Sequence, residues 1–260
     1  MTSDAALAAA IQEVAALVDR AESVLFITGA GVSADSGLPT YRGVGGLYND
    51  ESRDPEEGLP IEVLLSGPFF RRQPATTWKY IRQIEEACRG ARPNPAHQIM
   101  AAFEGRVDRL WVMTQNVDGL HTAAGSQNVI ELHGNIHRLR CTVCSYRAEV
   151  EDYAALPPLP RCPRCQSVLR PDVVLFEEML PPAAVAAMQR ERARGFDLVF
   201  TVGTSSPFPY VTDPVLQVRR RGGASIEINP GRTRMSELVT HKLSVGAADA
   251  MTRLAAALKL

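Results

Sequence analysis

Four of the five cysteines in this 260-residue sequence form two Cys-x-x-Cys pairs. The pairs are Cys141 with Cys144 and Cys162 with Cys165, and 17 residues separate them. This spacing is typical of a tetrahedral zinc site, in which four sulfur ligands leave no open position for water or substrate. We therefore predict one structural zinc ion. Two disulfides or a redox pair are the alternatives, and the odd total, with Cys88 standing alone, disfavours a disulfide framework.

A glycine-rich turn indicates a second kind of site. The stretch Gly29-Ala30-Gly31-Val32-Ser33-Ala34 follows an apolar run and matches the turn whose backbone amides approach a pyrophosphate near a helix N-terminus. Glycines that only make a tight turn are the alternative. A dehydrogenase would show a strand ending in an acidic residue about 20 positions later. Residues 48–52 hold Asp50 and Glu51 with no strand before them, so the turn predicts a dinucleotide but not the usual hydride transfer.

Polar turns also follow the later apolar runs. His133 comes after one of them, and its ordinary pKa of about 6.5 allows a neutral general base near pH 7, although a structural role is equally open. Ligands of open α/β sheets bind at the carboxyl edge, so the turns together predict a site for a long, polar, phosphate-bearing ligand. The other turns are 114–121, 203–206 and 229–231.

Apolar runs and helical patterns alternate along the chain and must position these residues. The runs are continuous, as expected for strands buried on both faces of a parallel sheet, and we predict a doubly wound α/β fold. Predicted strands cover Val24–Ile27, Leu110–Met113, Val129–Leu132, Leu198–Val202 and Ile226–Ile228, with an edge strand at Leu243–Val245. Predicted helices cover residues 5–20 and 94–103, follow Pro181-Pro182, and close the chain from Ala247.

Two stretches interrupt this alternation. Residues 43–75 are rich in Gly, Pro and charge, with a short helical pattern at Pro60–Leu65, and residues 138–170 hold the four clustered cysteines. We predict that both leave the sheet and together build a smaller domain. The predicted large domain comprises residues 1–42, 110–137 and 171–260, and a helical connection covers 76–109.

Composition excludes several classes of protein. With 28 basic and 29 acidic residues the formal charge is −1, so no overall field favours nucleic acid or anionic lipid. No apolar run approaches the roughly 18 to 20 residues of a membrane-spanning helix. The first 20 residues lack the basic region of a secretory signal, and we expect a cytoplasmic protein without a specific nucleic-acid or membrane partner.

Taken in order, these motifs resemble the sirtuin family of NAD-dependent protein lysine deacylases. The resemblance spans most of the chain and includes a zinc ribbon inserted between a His-Gly turn and the later strands, which is an uncommon arrangement. The matching stretches are residues 29–42, Thr114-Gln115-Asn116-Val117-Asp118, Leu132-His133-Gly134, the four cysteines, residues 170–176, Gly203-Thr204-Ser205 and Asn229-Pro230.

The resemblance implies a Rossmann-like domain and a small zinc-bearing domain, with NAD and an acyl-lysine peptide in the cleft between them. The acyl group would pass to the nicotinamide ribose, with His133 as base and Asn116 and Asp118 beside it, giving nicotinamide, free lysine and O-acyl-ADP-ribose. Val173, Val174 and Phe176 would bind the substrate peptide. NAD-binding positions would be Gly29, Ala30, Gly31, Ser33, Tyr41, Arg42, Gln115, Asn116, Val117, Asp118, Gly203, Thr204, Ser205, Asn229, Pro230 and Ala248.

Two departures from the family pattern bear on specificity. Many members read Phe-Gly-Glu where this chain has Phe176-Glu177-Glu178, and we hypothesise that the added carboxylate favours basic residues beside the acyl-lysine. Desuccinylases of the family carry Tyr and Arg three residues apart on a helix. The nearest pair here, Tyr80 and Arg82, is two apart, which is a rotation of roughly 200°, so we predict a preference for neutral acyl groups.

Two other functions remain open from the sequence. Mono-ADP-ribosyl transfer would use the same cleavage of nicotinamide with a different acceptor. A non-enzymatic zinc-ribbon binding module that merely senses NAD or docks on nucleic acid is the second alternative. Release of nicotinamide that depends on an acyl-peptide separates deacylation from both.

Overall fold

A parallel sheet with helices on both faces forms the larger part of the molecule. The computed structural model describes residues 4–39, 58–205 and 208–260. Within these residues six strands are ordered β3-β2-β1-β7-β8-β9, all parallel. The strands are β1 (Ser23–Thr28), β2 (Arg109–Thr114), β3 (Val129–Glu131), β7 (Leu198–Val202), β8 (Ala224–Ile228) and β9 (His241–Leu243).

The strand order places a switch point beside β1. The chain proceeds outward from β1 through β2 to β3, and then returns to the other side of β1 as β7. Ligands of doubly wound sheets bind at the carboxyl ends of strands at such a point. The predicted strands are therefore found, except that the edge strand lies at His241–Leu243 rather than Leu243–Val245, because it ends where its partner β8 ends.

Alternate residues of β1 serve the two faces of the sheet. Val24 and Phe26 belong to one apolar core, whereas Leu25 and Ile27 belong to another. Helices α1 (Asp4–Val18), α5 (Pro95–Ala102) and α9 (Ala247–Leu258) cover the first face. Helices α7 (Pro182–Arg194) and α8 (Pro209–Arg220) cover the second. A short helix, α6 (Leu120–Ala123), lies in the connection from β2 to β3.

A third core lies outside this sheet. It joins a three-stranded antiparallel sheet, ordered β5-β4-β6, to three helices and to the cysteine-bearing loops. Trp78 and Tyr153 are its largest fully buried side chains and meet edge to face. The elements are α2 (Ile61–Leu64), α3 (Gly67–Arg72), α4 (Pro74–Cys88), β4 (Gly134–Cys141), β5 (Arg147–Glu149) and β6 (Leu169–Val173).

Two of the predicted domain limits fall inside strands. The limit at 137 falls inside β4, and the limit at 170 falls inside β6. The predicted helical connection over 76–109 divides between cores, because α4 packs in the third core and α5 in the first. Among the described residues no helix combines the length and apolar character needed to cross a membrane.

Candidate functional site

The four clustered cysteines converge at one point of the small antiparallel sheet. Cys141 ends β4, and the Sγ atoms of all four lie within 4.8 Å of one another. The Sγ of Cys141 is 3.4 Å from that of Cys165, and the Sγ of Cys144 is 3.6 Å from that of Cys162. Tetrahedral zinc, with bonds of about 2.3 Å, requires sulfur separations of about 3.8 Å. All four are free cysteines, so the donor set fits one zinc ion and not two disulfides.

Backbone amides prepare two of these sulfurs for a metal. The N–H groups of Val143 and Cys144 point to the Sγ of Cys141, and that of Arg164 points to the Sγ of Cys162, each at 3.4 Å. Amides directed at sulfur stabilise the thiolate form that metal binding needs. The ion would hold the loops of the third core together, which is a structural role.

The glycine-rich turn is pinned to the turn after β7. The N–H of Gly29 donates to the Val202 carbonyl at 3.1 Å, and the N–H of Gly31 donates to that of Gly203 at 2.8 Å. A Cβ on Gly31 would lie 2.7 Å from the Cα of Gly203, which is closer than real Cβ contacts. The turn, which the sequence predicts near a helix N-terminus, continues as two 3₁₀ turns, Ala30–Val32 and Ala34–Ser36, and Gly37 ends the second one in a left-handed conformation.

The polar segment after β2 is bonded to the same two turns. Gln115 donates through Nε2 to the Oγ1 of Thr204 at 2.9 Å. Asn116 donates through Nδ2 to the Gly29 carbonyl at 3.2 Å and to the Oγ of Ser33 at 3.1 Å. Ser33 in turn donates to an Asp118 carboxylate oxygen at 2.8 Å. The structure thus brings the side chains predicted at positions 33, 115, 116 and 118 to one place, with Val117 between them.

Two buried histidines lie behind this polar group. His97 belongs to the capping box at the start of α5, and its ring meets that of His121 edge-on at 4.8 Å. Nε2 of His121 lies 2.9 Å from the Thr28 hydroxyl, and Nε2 of His97 lies 3.5 Å from that of Ser33. Burial lowers the pKa of both, that of His121 to about 3. His97 thus caps α5, and His121 packs against it in the interior.

His133 follows β3, and the path of the backbone at this point requires a glycine at the next position. Gly134 has φ +80°, and a Cβ there would lie 1.9 Å from the Asp172 carbonyl oxygen. The His133 carbonyl accepts from the Val174 N–H at 2.9 Å, which fixes the strand end against the small sheet. Burial lowers the pKa of His133, and a hydrogen bond to the Gln115 backbone opposes that shift. The ring is therefore neutral near pH 7 and stands next to the 115–118 segment.

The remaining predicted positions on the large sheet also gather at its carboxyl edge. Asn229, after β8, donates through Nδ2 to the Thr204 carbonyl at 3.2 Å and accepts through Oδ1 from Gly231 at 3.0 Å. The Ala248 N–H donates to the Asp35 carboxylate at 3.2 Å, which joins α9 to the first turn. Pro230 and Ser205 are exposed beside them.

The predicted peptide positions lie on and after β6. The Val174 N–H is already bonded to His133, and Phe176 joins the loop before α3 through its N–H and carbonyl. Val173 and Val174 line an open groove of about 800 Å³ with Trp111 and Met179, and none of the predicted NAD positions that the structure describes lines it. Phe176 and Met179 are exposed apolar side chains at this edge. Tyr41 and Arg42, also predicted at the site, lie outside the described residues.

One contact at the site was not expected from the sequence. The hydroxyl of Tyr210, in the first turn of α8, lies 3.0 Å from Nε2 of His133. Tyr210 lies four residues beyond the predicted 203–206 turn, so its place beside the imidazole can be recognised only once the order of the strands is known. A polar residue after β7 was the single available signal.

The donor set fits a dinucleotide. Carboxamide and carboxylate groups two residues apart can pair with the two ends of a nicotinamide amide, which have opposite hydrogen-bonding character. The closely packed glycine turns keep side chains out of the space at the switch point, where a pyrophosphate binds in such folds. A neutral imidazole adjoining them can accept a proton from a sugar hydroxyl.

Comparison with known proteins agrees with this geometry. The family model described as Sir2 family matches residues 29–208. An NAD-dependent protein deacylase 2 of Pseudomonas aeruginosa is 49% identical over 249 residues, covering 94% of this chain and 95% of its own. A solved Sir2 homolog–NAD complex superposes with TM-score 0.84 at 38% identity, covering 95% of this chain and 93% of the other.

A solved complex with a peptide is also similar. It is a Sir2 variant with a deacetylated p53 peptide and 3'-O-acetyl ADP ribose, with TM-score 0.81 and 29% identity over 95% of this chain and 97% of the other. The family match covers more than half of the sequence, and the matched fold has the same layers. The chain is a member of the Sir2 family.

Proposed function

We propose that this protein is an NAD-dependent protein lysine deacylase, which transfers the acyl group of a modified lysine to NAD and releases nicotinamide and O-acyl-ADP-ribose. The family membership and the curated deacylase relatives support the activity. The observation that carries it in this chain is the position of His133, which follows β3 and lies beside the segment that holds the Asn116 and Asp118 side chains.

His133 is the proposed base in this reaction. NAD, when bound, supplies the ribose that accepts the acyl group and the nicotinamide that leaves. His133 would take a proton from a ribose hydroxyl, and its depressed pKa keeps the accepting form dominant at neutral pH. Asn116 and Asp118 would orient the nicotinamide end, since Ser33 holds both side chains from one side.

The glycine turns and the β8 end are proposed to hold the rest of the dinucleotide. Gly29, Gly31 and Gly203 pack backbone on backbone, and because they carry no side chains a pyrophosphate can approach this turn closely. Thr204 accepts from Gln115 through its hydroxyl and from Asn229 through its backbone carbonyl, so the phosphate-binding and ribose-binding parts are coupled through one residue. The proposed NAD set also retains Ala30, Val117, Ser205, Pro230 and Ala248, together with Tyr41 and Arg42.

The proposed substrates are acyl-lysine proteins carrying neutral acyl groups. Arg82 donates to the carbonyls of Tyr153, Leu156 and Pro157, so its guanidinium is committed to the loop of the third core. Tyr80 is buried on the same helix. An acidic acyl group would therefore lack the Tyr and Arg partners that desuccinylases use, and Val173, Val174 and Phe176 are proposed to bind the peptide main chain.

A peptide panel tests this function. Peptides carrying acetyl-, butyryl- or succinyl-lysine are incubated with the protein and NAD, and nicotinamide and O-acyl-ADP-ribose are measured. We expect both products in equal amounts with the neutral acyl groups, and acetyl turnover at least tenfold above succinyl turnover. Nicotinamide release with labelled protein and no deacylation would instead support ADP-ribosyl transfer, and NAD binding without turnover would support a sensing module.

A further inference from the structure

Tyr210 makes a contact that the proposed function does not use. Its hydroxyl lies 3.0 Å from Nε2 of His133, and the two rings meet edge to face with 6.2 Å between centroids and an angle of 85°. Tyr210 is half-buried in the first turn of α8. The phenol therefore occupies one of the two nitrogens of the proposed base.

The pattern of hydrogen bonds fixes the direction of this contact. Burial raises the pKa of the Tyr210 phenol well above its ordinary range, so the phenol keeps its proton and can donate. The Gln115 backbone raises the pKa of His133, as a carbonyl does when it accepts from a ring N–H. With Nε2 at the phenol, we assign that N–H to Nδ1, and the Tyr210 hydroxyl donates to the lone pair of Nε2.

That lone pair is the one a base at this position needs. With Nδ1 protonated, His133 can accept a hydroxyl proton only through Nε2, so the phenol and the substrate hydroxyl compete for one atom. Phe208 stacks on Tyr210 with 5.0 Å between centroids and an interplanar angle of 16°, and Phe208 is itself 43% exposed. Tyr210 is thus half-buried, with its ring packed against the second core on one side and stacked on an exposed aromatic ring on the other.

We propose that Tyr210 is a positioning residue that caps Nε2 of His133 in the free enzyme and yields this nitrogen when the ribose hydroxyl of the bound co-substrate arrives. The inference rests on the proposed function for the identity of the displacing hydroxyl. The cap holds the ring in the tautomer that leaves Nε2 unprotonated. Tyr210 retains its own proton, and the proton abstracted from the substrate goes to Nε2.

Imidazole NMR on the protein without NAD tests the cap directly. The titration of His133 is followed in the wild type and in Tyr210→Phe, with the resonance assigned from its loss in His133→Ala. Donation to Nε2 stabilises the neutral ring, so its removal should raise the pKa of His133 by about half to one unit. Tyr146→Phe, which removes a phenol from the zinc-bearing region, is the matched control and should leave that pKa unchanged.

Kinetics test the displacement. The acidic limb of the pH profile of kcat/KM reports the free enzyme, and that of kcat reports the substrate complex. In Tyr210→Phe the acidic limb of kcat/KM should move to higher pH by the same amount as the pKa of His133 measured by NMR. The acidic limb of kcat should stay in place, because the cap is absent from the substrate complex in both proteins. Burial and the Gln115 backbone also act on the pKa of His133, and Tyr210→Phe leaves the Gln115 backbone in place.

Each result bears on a different part of the proposal. An unchanged pKa of His133 and an unchanged Nε2 resonance in Tyr210→Phe would overturn the cap. Equal shifts of both limbs would overturn the displacement, because the phenol would then remain on Nε2 in the complex. A wild type without turnover on any acyl-lysine peptide would overturn the proposed function, and the NMR arm would still decide whether the cap exists.

Discussion

Gly31 and Gly203 are packed backbone against backbone at the switch point of the sheet. The N–H of Gly31 donates to the Gly203 carbonyl at 2.8 Å, and a Cβ on Gly31 would lie 2.7 Å from the Cα of Gly203 and 2.9 Å from its carbonyl oxygen. The turn after β1 and the turn after β7 therefore hold each other in register. Any side chain on Gly31 must separate them.

Gly31→Ala is expected to damage both stability and NAD binding. The new methyl meets backbone atoms, which cannot rotate away, and overpacking of this kind costs about 1 to 3 kcal/mol of unfolding free energy. We expect the KM for NAD to rise at least tenfold, measured in the acetyl-lysine assay. Gly105→Ala is the matched control, since a Cβ there would meet nothing within 4 Å. Equal KM values for the two variants would contradict the role given to this contact.

Cys162→Ser is expected to release the zinc ion and loosen the third core. Cys162 is fully buried between the small sheet and its loops, and structural zinc contributes folding free energy directly. Zinc measured by atomic emission should fall from about one ion per chain to well below half, with a lower melting temperature. Cys88→Ser is the control, because burial raises the pKa of Cys88 to about 12 and keeps it a thiol remote from the metal. Full zinc content in Cys162→Ser would refute the four-sulfur site.

Acidification is expected to destabilise the protein through the buried histidine pair. The pKa of His121 falls from about 6.5 in the unfolded chain to about 3 in the fold, because burial disfavours its charged form, and that of His97 is also lowered. The unfolded chain thus binds more protons, so stability present above pH 6.5 is lost as the pH falls from 6.5 toward 3. The slope is at most about 1.4 kcal/mol per pH unit for each ring.

Urea unfolding at several pH values measures this effect. His121→Gln should show a shallower decline of unfolding free energy between pH 7 and pH 5 than the wild type, whatever its stability at pH 7. His137→Gln, outside the buried pair, should keep the wild-type slope. A wild-type slope in His121→Gln would show that the pair does not cause the acid sensitivity.

Glu177 stands in a conformation that glycine adopts more easily. Its φ is +63°, and the turn is held by the next residue, since Glu178 accepts from Arg170 and from the Leu175 N–H. A left-handed backbone costs a side-chain-bearing residue about 1 kcal/mol, so Glu177→Gly should raise the unfolding free energy by about that amount. It should also abolish the hypothesised preference for basic residues beside the acyl-lysine.

A second variant at this position separates charge from backbone. Glu177→Gln keeps the strained φ and removes the carboxylate, so it should lose the basic preference without gaining stability. Turnover of peptides with Lys or Asp flanks, together with urea unfolding, supplies both measurements. Equal turnover of the Lys-flanked and Asp-flanked peptides by the wild type would contradict the charge hypothesis. An unchanged unfolding free energy in Glu177→Gly would contradict the backbone strain.

The central strands could be predicted because their physical signal is strong. Burial on both faces produces uninterrupted apolar runs such as Leu198–Val202, and each of the five main runs is a strand of the parallel sheet. The small antiparallel strands gave no such signal. β4 carries two arginines, and β6 carries one arginine and one proline, among their apolar residues. Their pairing depends on Gly134 and on the cysteine cluster rather than on alternation.

The site was predictable where chemistry depends on spacing and unpredictable where it depends on topology. Two Cys-x-x-Cys pairs indicate a shared metal without knowledge of the fold. Tyr210 reaches His133 only because the helix after β7 returns across the sheet edge toward the end of β3, which no local pattern encodes. The 3₁₀ turns after β1 likewise follow from the contact with Gly203, which is 172 positions away from Gly31 in the sequence.

The most direct test of the account is the turnover of an acetyl-lysine peptide with NAD by His133→Ala. We expect O-acetyl-ADP-ribose formation to fall by about 10² to 10⁴, the range for loss of a general base, while the melting temperature stays close to that of the wild type. The wild-type kcat/KM should decline only below pH 6.5, since burial lowers the pKa of His133. Wild-type turnover by His133→Ala would contradict the account.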